Sequence, residues 1–190
     1  MPGPAEPLMK MDVGPRADQS GDSKLERRVI DCGDLHMRIA RDGTWFYHGS
    51  PIGRKPLVKL FASVLRREPD GSYWLVTPVE RGRVEVEDAP FTAVELAVEG
   101  EGAARVLRFR TNLDEWVDAG PDRPIRLEPG DARSGPRPYV MVREGLEALI
   151  LRPVFYELVA LAEPSGTEGR ELGVWSQGAF FPLSVASGPG

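Results

Sequence analysis

MRIARDGTWFYHGSPIGRKPLVKLFASVLRREPDGSYWLVTPV, residues 37–79, changes its hydrophobic period twice within one short run. Met37 and Ile39 alternate with Arg38 and Ala40, the period-two pattern of a half-buried strand. Asp42-Gly43 predicts a two-residue hairpin turn, because such turns need a positive φ that glycine tolerates. Trp45, Phe46 and Tyr47 suit the returning strand, which Gly49-Ser50-Pro51 ends. The period then lengthens. Leu57, Leu60, Phe61, Val64 and Leu65 fall on one helical face, with Pro56 in the first turn, where its missing N–H costs nothing. Arg66 and Arg67 are expected in the last turn, at the negative end of the helix dipole. Pro69-Asp70-Gly71 stops the helix, and SYWLVTPV at 72–79 reads as a strand again.

Further strands follow: RVEVED at 83–88, TAVELAV at 92–98, RVLRFR at 105–110 and a short one at 125–127. The same order then returns. PYVMV (138–142) is a strand, Arg143-Glu144-Gly145 a turn, LEALIL (146–151) a strand, RPVFYELVALA (152–162) a helix and ELGVWS (171–176) a strand. Arg41-Asp42-Gly43 aligns with Arg143-Glu144-Gly145, and Lys55-Pro56 with Arg152-Pro153, at offsets of about 100 residues. The expected fold class is α+β, an internally duplicated strand-strand-helix-strand-strand unit forming two small domains with a shared interface. Residues 1–24, rich in Pro, Gly, Asp and Ser, read as a disordered tail. Residues 25–128 read as the N-terminal domain, 129–138 as a connection and 139–190 as the C-terminal domain.

The chain has 190 residues, 41% of them apolar and 28% charged, within the ordinary globular range. No apolar run approaches a membrane span, the N-terminus lacks the apolar core of a signal peptide, and one cysteine, Cys32, fits a reducing compartment. A cytoplasmic location is expected. The net charge of −5 argues against nonspecific binding to duplex DNA. Charge is unevenly spread: nine bases against four acids from Arg38 to Arg83, then six acids and no base from Val84 to Gly102. Such a distribution can steer an anionic ligand, although solvated faces of differing charge would look the same.

No nucleophile elbow, phosphate loop or metal-ligand spacing is present, and His36, His48 and Cys32 alone do not make a zinc site. The sequence therefore points to no enzyme, no metal and no cofactor. A cleft between duplicated halves is the expected binding place. Candidate ligand-binding residues are the basic Arg38, Arg41, Arg54, Lys59 and Arg143, with Thr77 at a strand end and Trp45, Tyr139 and Trp175 as stacking surfaces. Two rival readings stand beside this one. The chain can be a protein–protein adaptor using strand edges or the acidic 84–102 face, or an enzyme using Asp42, Glu80 or Asp88 as general base.

The run from Met37 to Phe91, with VREGLEALILRPVFYELVALA and WSQGAFFPL further on, resembles the bacterial domain-of-unknown-function family 1285. The resemblance covers roughly residues 30–185. It implies a duplicated two-domain α+β fold with a pleckstrin-homology-like second half. It also implies an anionic, nucleotide-like ligand at the domain interface and a role in signal transduction, with no established activity.

Overall fold

The structure, a computed structural model, describes residues 29–130, 135–165 and 171–184. The first unit begins with β1 (Ile30–Ile39), β2 (Trp45–Tyr47) and β3 (Ser50–Pro51). Helix α1 (Lys55–Ser63) follows, then β4 (Leu65–Arg67), β5 (Tyr73–Val76) and β6 (Glu80–Val86). These strands make one sheet in the order β3-β2-β1-β6-β5-β4, with β1 and β6 parallel at its centre. The second unit contributes β7 (Phe91–Glu99), β8 (Val106–Thr111), β9 (Trp116–Asp118), β10 (Ile125–Glu128), β11 (Arg137–Arg143) and β12 (Leu146–Ile150). Its order is β9-β8-β7-β12-β11-β10, with β7 and β12 parallel at the centre. The two sheets thus share one topology. Helix α2 (Arg152–Ala160) leads to a small sheet of β13 (Glu163–Pro164), β14 (Leu172–Ser176) and β15 (Ala179–Pro182).

The fold is α+β with internal duplication, and the phase of the repeat is a finding of the structure. β1-β2-β3 corresponds to β7-β8-β9, and β4-β5-β6 to β10-β11-β12. The Arg143-Glu144-Gly145 turn therefore joins the last two strands of its unit, whereas Arg41-Asp42-Gly43 joins the first two. The units divide at residues 87–90. The Pro/Gly-rich stretch 129–138, expected to connect domains, instead links β10 and β11, antiparallel neighbours within one sheet. Sheet pairing overrides composition there. The expectation for residues 1–24 lies outside the described residues.

Local structure follows the sequence with two corrections. Ala40 and Thr44 remain paired and Gly43 N–H returns to the Ala40 carbonyl, so the first hairpin has a three-residue loop with Gly43 at φ 84°. Helix α1 stops at Ser63, and Arg66 and Arg67 lie in β4 opposite Trp74 and Tyr73. The Val64 carbonyl accepts the N–H of Val76, so strand pairing captures the backbone that further helix would use. Val58 and Ala62 form the buried face of α1, while Leu60 is exposed.

β8 alternates strictly: Leu107, Phe109 and Thr111 are buried, and Arg108 and Arg110 between them reach carboxylates. Buried side chains of both units form one contiguous core, from Met37 and Trp45 through Phe91 and Phe109 to Val174 and Phe181. Ser176 joins the small sheet to the second unit, its buried hydroxyl donating to the Ala119 carbonyl and accepting the Leu107 N–H. Among the described residues, no helix is long and apolar enough to cross a membrane.

Candidate functional site

The two units meet along a polar seam, and most of the basic residues on it are already occupied. Lys55 and Lys59, on α1, reach Asp114 of the second unit at 2.7 and 2.9 Å. Asp114 also takes Arg110 at 3.3 Å. The two lysine ammonium groups hold its carboxyl down at about 2. Arg143 donates to the Ala62 carbonyl at the end of α1, approaches Glu115 at 3.6 Å and lies over the Phe91 ring. Its Nε is buried without a partner.

A second cluster surrounds the connection between the units. The Asp88 side chain, 5% exposed, accepts a 2.6 Å hydrogen bond from the Tyr139 hydroxyl and stands 3.4 Å from Arg41 and 3.6 Å from Arg137. Burial, and then the Asp88 carboxylate that accepts its proton, push the Tyr139 phenol well above the usual tyrosine range. Arg126 binds both oxygens of Glu147 at 2.5 Å and also reaches Glu128. It lies over the Tyr139 ring, and the paired carboxylates hold its proton more tightly than usual. A 230 Å³ hollow runs beside these groups. Arg126 and Arg137 on its lining both face carboxylates, which suits a fastening between units better than a ligand site.

Between the two clusters lies a cleft of about 870 Å³. One wall is β4 with the turn after it, Leu65 to Gly71; the other is the β11–β12 turn, Arg143 to Leu146. Both turns depend on glycine, Gly71 at φ 85° and Gly145 at φ 71°. Asp70 closes the first by accepting the Ser72 N–H and hydroxyl. Arg66 donates to the Leu65 and Ser63 carbonyls, and Arg67 lies 5.5 Å from the Tyr73 ring centre. Among the described residues, no ion pair engages Arg66 or Arg67. With Arg143 they set three guanidinium groups against Glu68 and Glu144 on the cleft walls.

The residues expected from sequence divide accordingly. Arg143 lines the cleft and Lys59 lies at the seam beside it. Arg38 pairs with Glu87 over the Phe46 ring, and Arg41 serves the Asp88 cluster. Arg54 is an exposed residue at the start of α1. Thr77 closes its own turn, its hydroxyl donating to the Glu80 carbonyl and accepting the Glu80 N–H. The stacking expectation needs correction. Trp45 is 1% exposed beneath Phe61 and Tyr139 is 3% exposed, so neither presents a face to a ligand. Trp175 packs on Phe180 in the small sheet, away from the cleft walls. Of the three proposed bases, Asp42 and Glu80 are exposed and Asp88 is held between cations. Arg66 and Arg67, expected from sequence at a helix C-terminus, lie beyond the end of α1 in β4. The β-capable Tyr73–Val76 segment just beyond them was the signal that they could pair as a strand.

Residues 29–89 match a family pattern described as the domain of unknown function DUF1285, N-terminal domain. Residues 90–183 match the protein of unknown function DUF1285, C-terminal domain. No curated protein matches. A crystal structure of a DUF1285 family protein from Silicibacter pomeroyi DSS-3 is 48% identical with a TM-score of 0.76, covering 83% of this chain and 84% of that one. Another, from Shewanella baltica OS155, is 28% identical with a TM-score of 0.52, covering 67% of this chain and 91% of that one. The boundary between the two matched domains falls where the two sheets divide, and the chain belongs to the DUF1285 family.

Proposed function

We propose that this protein is a non-enzymatic ligand-binding or sensing protein that holds an anionic small molecule, nucleotide-like in size, in the cleft between its units. The observation that carries this reading is the pair Arg66 and Arg67, adjacent on a cleft wall without a carboxylate partner among the described residues, while other seam cations are paired. The volume of 870 Å³ is within the range of small-molecule sites. Guanidinium groups bind phosphates and carboxylates through paired, charge-assisted hydrogen bonds. Because the cleft walls carry no aromatic ring, phosphate rather than base contacts would supply the affinity. A ligand touching both walls would favour one arrangement of the two units, which is the physical basis of a sensing role.

The test is a thermal-shift titration with pyrophosphate, triphosphate and nucleoside di- and triphosphates at two salt concentrations. A ligand at about 100 times its dissociation constant should add about 2.7 kcal/mol of stability, several degrees in melting temperature. Arg66→Ala with Arg67→Ala should abolish the shift while leaving the unliganded melting temperature within a degree or two. A flat screen, or a shift indifferent to both substitutions, overturns the reading. The adaptor alternative is supported by the outer face of α2, where Tyr156 and Val159 stand exposed one turn apart. Recovery of a partner from lysate that survives the arginine substitutions and is lost with Tyr156→Asp would favour it.

A further inference from the structure

Helix α1 and the first sheet enclose a second cavity, of about 520 Å³, away from the interdomain cleft. Its walls are Leu35 and Met37 of β1, Leu57, Phe61 and Val64 on or beside α1, and Leu75 of β5. Gly82 on β6 makes room for this arrangement, since a side chain there would collide with Leu35. At the mouth, the Cys32 thiol faces a carboxylate oxygen of Glu80 at 3.8 Å. Arg81, also at the mouth, spends its charge on Asp31 through two contacts of 3.0 and 3.1 Å. With Arg81 and Asp31 cancelling, Glu80 leaves the entrance with one net negative charge. Tyr47 on the lining and Val79 beside Glu80 are both exposed, so the rim is partly apolar too.

Water in such a space finds few hydrogen-bond partners, whereas an aliphatic chain would meet apolar walls on most sides. At about 30 Å³ for each non-hydrogen atom, the share of a water molecule in its liquid, the cavity has room for on the order of fifteen such atoms. Cys32, Glu80 and Arg81 bring a thiol and two charged groups together at the mouth. That combination fits a molecule with one apolar chain and one polar head. A carboxylate or sulfate head would face the Glu80 charge, while a hydroxyl or amide head would donate to it.

We infer that the first unit carries a binding site for a medium-length single-chain amphiphile with an uncharged, hydrogen-bond-donating head. The chain lies against Leu57, Phe61 and Leu75, and the head meets Glu80 at the mouth. This site shares no lining residue with the interdomain cleft.

Calorimetric titration of the full chain with 1-alkanols from hexanol to dodecanol tests it. Each added methylene should tighten binding about threefold to fourfold through the whole series, since the cavity still has room for the thirteen non-hydrogen atoms of dodecanol. The alkanoate of matching length should bind at least tenfold more weakly, and Glu80→Gln should narrow that gap. Leu57→Trp, which places a large ring in the cavity, should weaken alkanol binding more than tenfold. Arg66→Ala with Arg67→Ala should leave it unchanged, which separates this site from the cleft. Absence of saturable binding at about one molecule per protein chain overturns the inference, as does affinity that stays flat as the alcohol lengthens. Equal affinity for alkanol and alkanoate overturns the assignment of the head. If Leu57→Trp does not fold, Val64→Phe serves the same purpose, and the chain-length series on the unaltered protein decides by itself.

Discussion

Gly43 bears two constraints at once. Its φ of 84° lies in the left-handed region, and its bare α-carbon packs on Asn112 of the second unit, whose amide donates to the Gly43 carbonyl at 3.2 Å. Gly43→Ala should therefore cost about 1–3 kcal/mol, seen as a lowered urea midpoint, because the new methyl group is strained in itself and displaces Asn112. Tyr139 makes a different kind of contact across the junction. Tyr139→Phe removes the proton donor to a buried carboxylate and should cost about 1.5–3 kcal/mol by the same measurement. Its phenol is neutral in the fold and its ionisation is pushed upward. The stability it contributes is whole below pH 10 and declines as pH rises beyond that; the phenolate absorbance of this residue should lag the ordinary tyrosine titration. The turn at Gly43 was legible because turn chemistry is local. The partners of Arg38, Arg41 and Lys59 were not, since Glu87, Asp88 and Asp114 lie roughly fifty residues away in the chain and spacing says nothing about them.

Helix α1 shows how an element's ends are set by its neighbours. Apolar periodicity ran on through Leu65, yet the last two apolar positions belong to the transition into β4, where Leu65 is fully buried and pairs with Leu75. The helix itself was readable; its end was decided by a ladder that forms only when Tyr73–Val76 folds back. That difference moved two arginines from a helix terminus to a cleft wall. The N-terminal half of α1 is fastened through Lys55 and Lys59 to Asp114, a residue at φ 64°. Its carboxyl is depressed to about 2 in the fold against an ordinary value near 3.8, so its contribution is complete above about pH 5 and is lost as pH falls through 4 toward 2. Asp114→Asn, which keeps a residue tolerant of that φ, should flatten the fall of the urea midpoint between pH 5 and pH 2.5. Added salt should shrink the difference, because the group is solvent-exposed.

The molecule as a whole has two sheets and one core. Trp45 and Trp74 report on the first unit, Trp116 and Trp175 on the second and its small sheet. A variant with Trp116→Phe and Trp175→Phe and one with Trp45→Phe and Trp74→Phe should unfold at the same urea concentration once each is referred to its own circular-dichroism midpoint. Two separated fluorescence transitions would show that the seam does not couple the units. Duplication was legible from the recurrence of strand, turn, strand and helix, while its phase was not. The hairpin most alike in sequence to Arg41-Asp42-Gly43 sits at a different place in the second sheet. The parallel pairing of the first and last strands also governs how the protein is made. Ile30 pairs with Glu80, so β1 leaves the ribosome about fifty residues ahead of the strand that completes its sheet. At about 5–20 residues per second, the nascent chain carries an unmatched strand for several seconds. β7 repeats that wait until β12 is synthesised. Each half must therefore be finished before its middle can close, and the growing polypeptide passes through two intervals in which chaperone protection counts most.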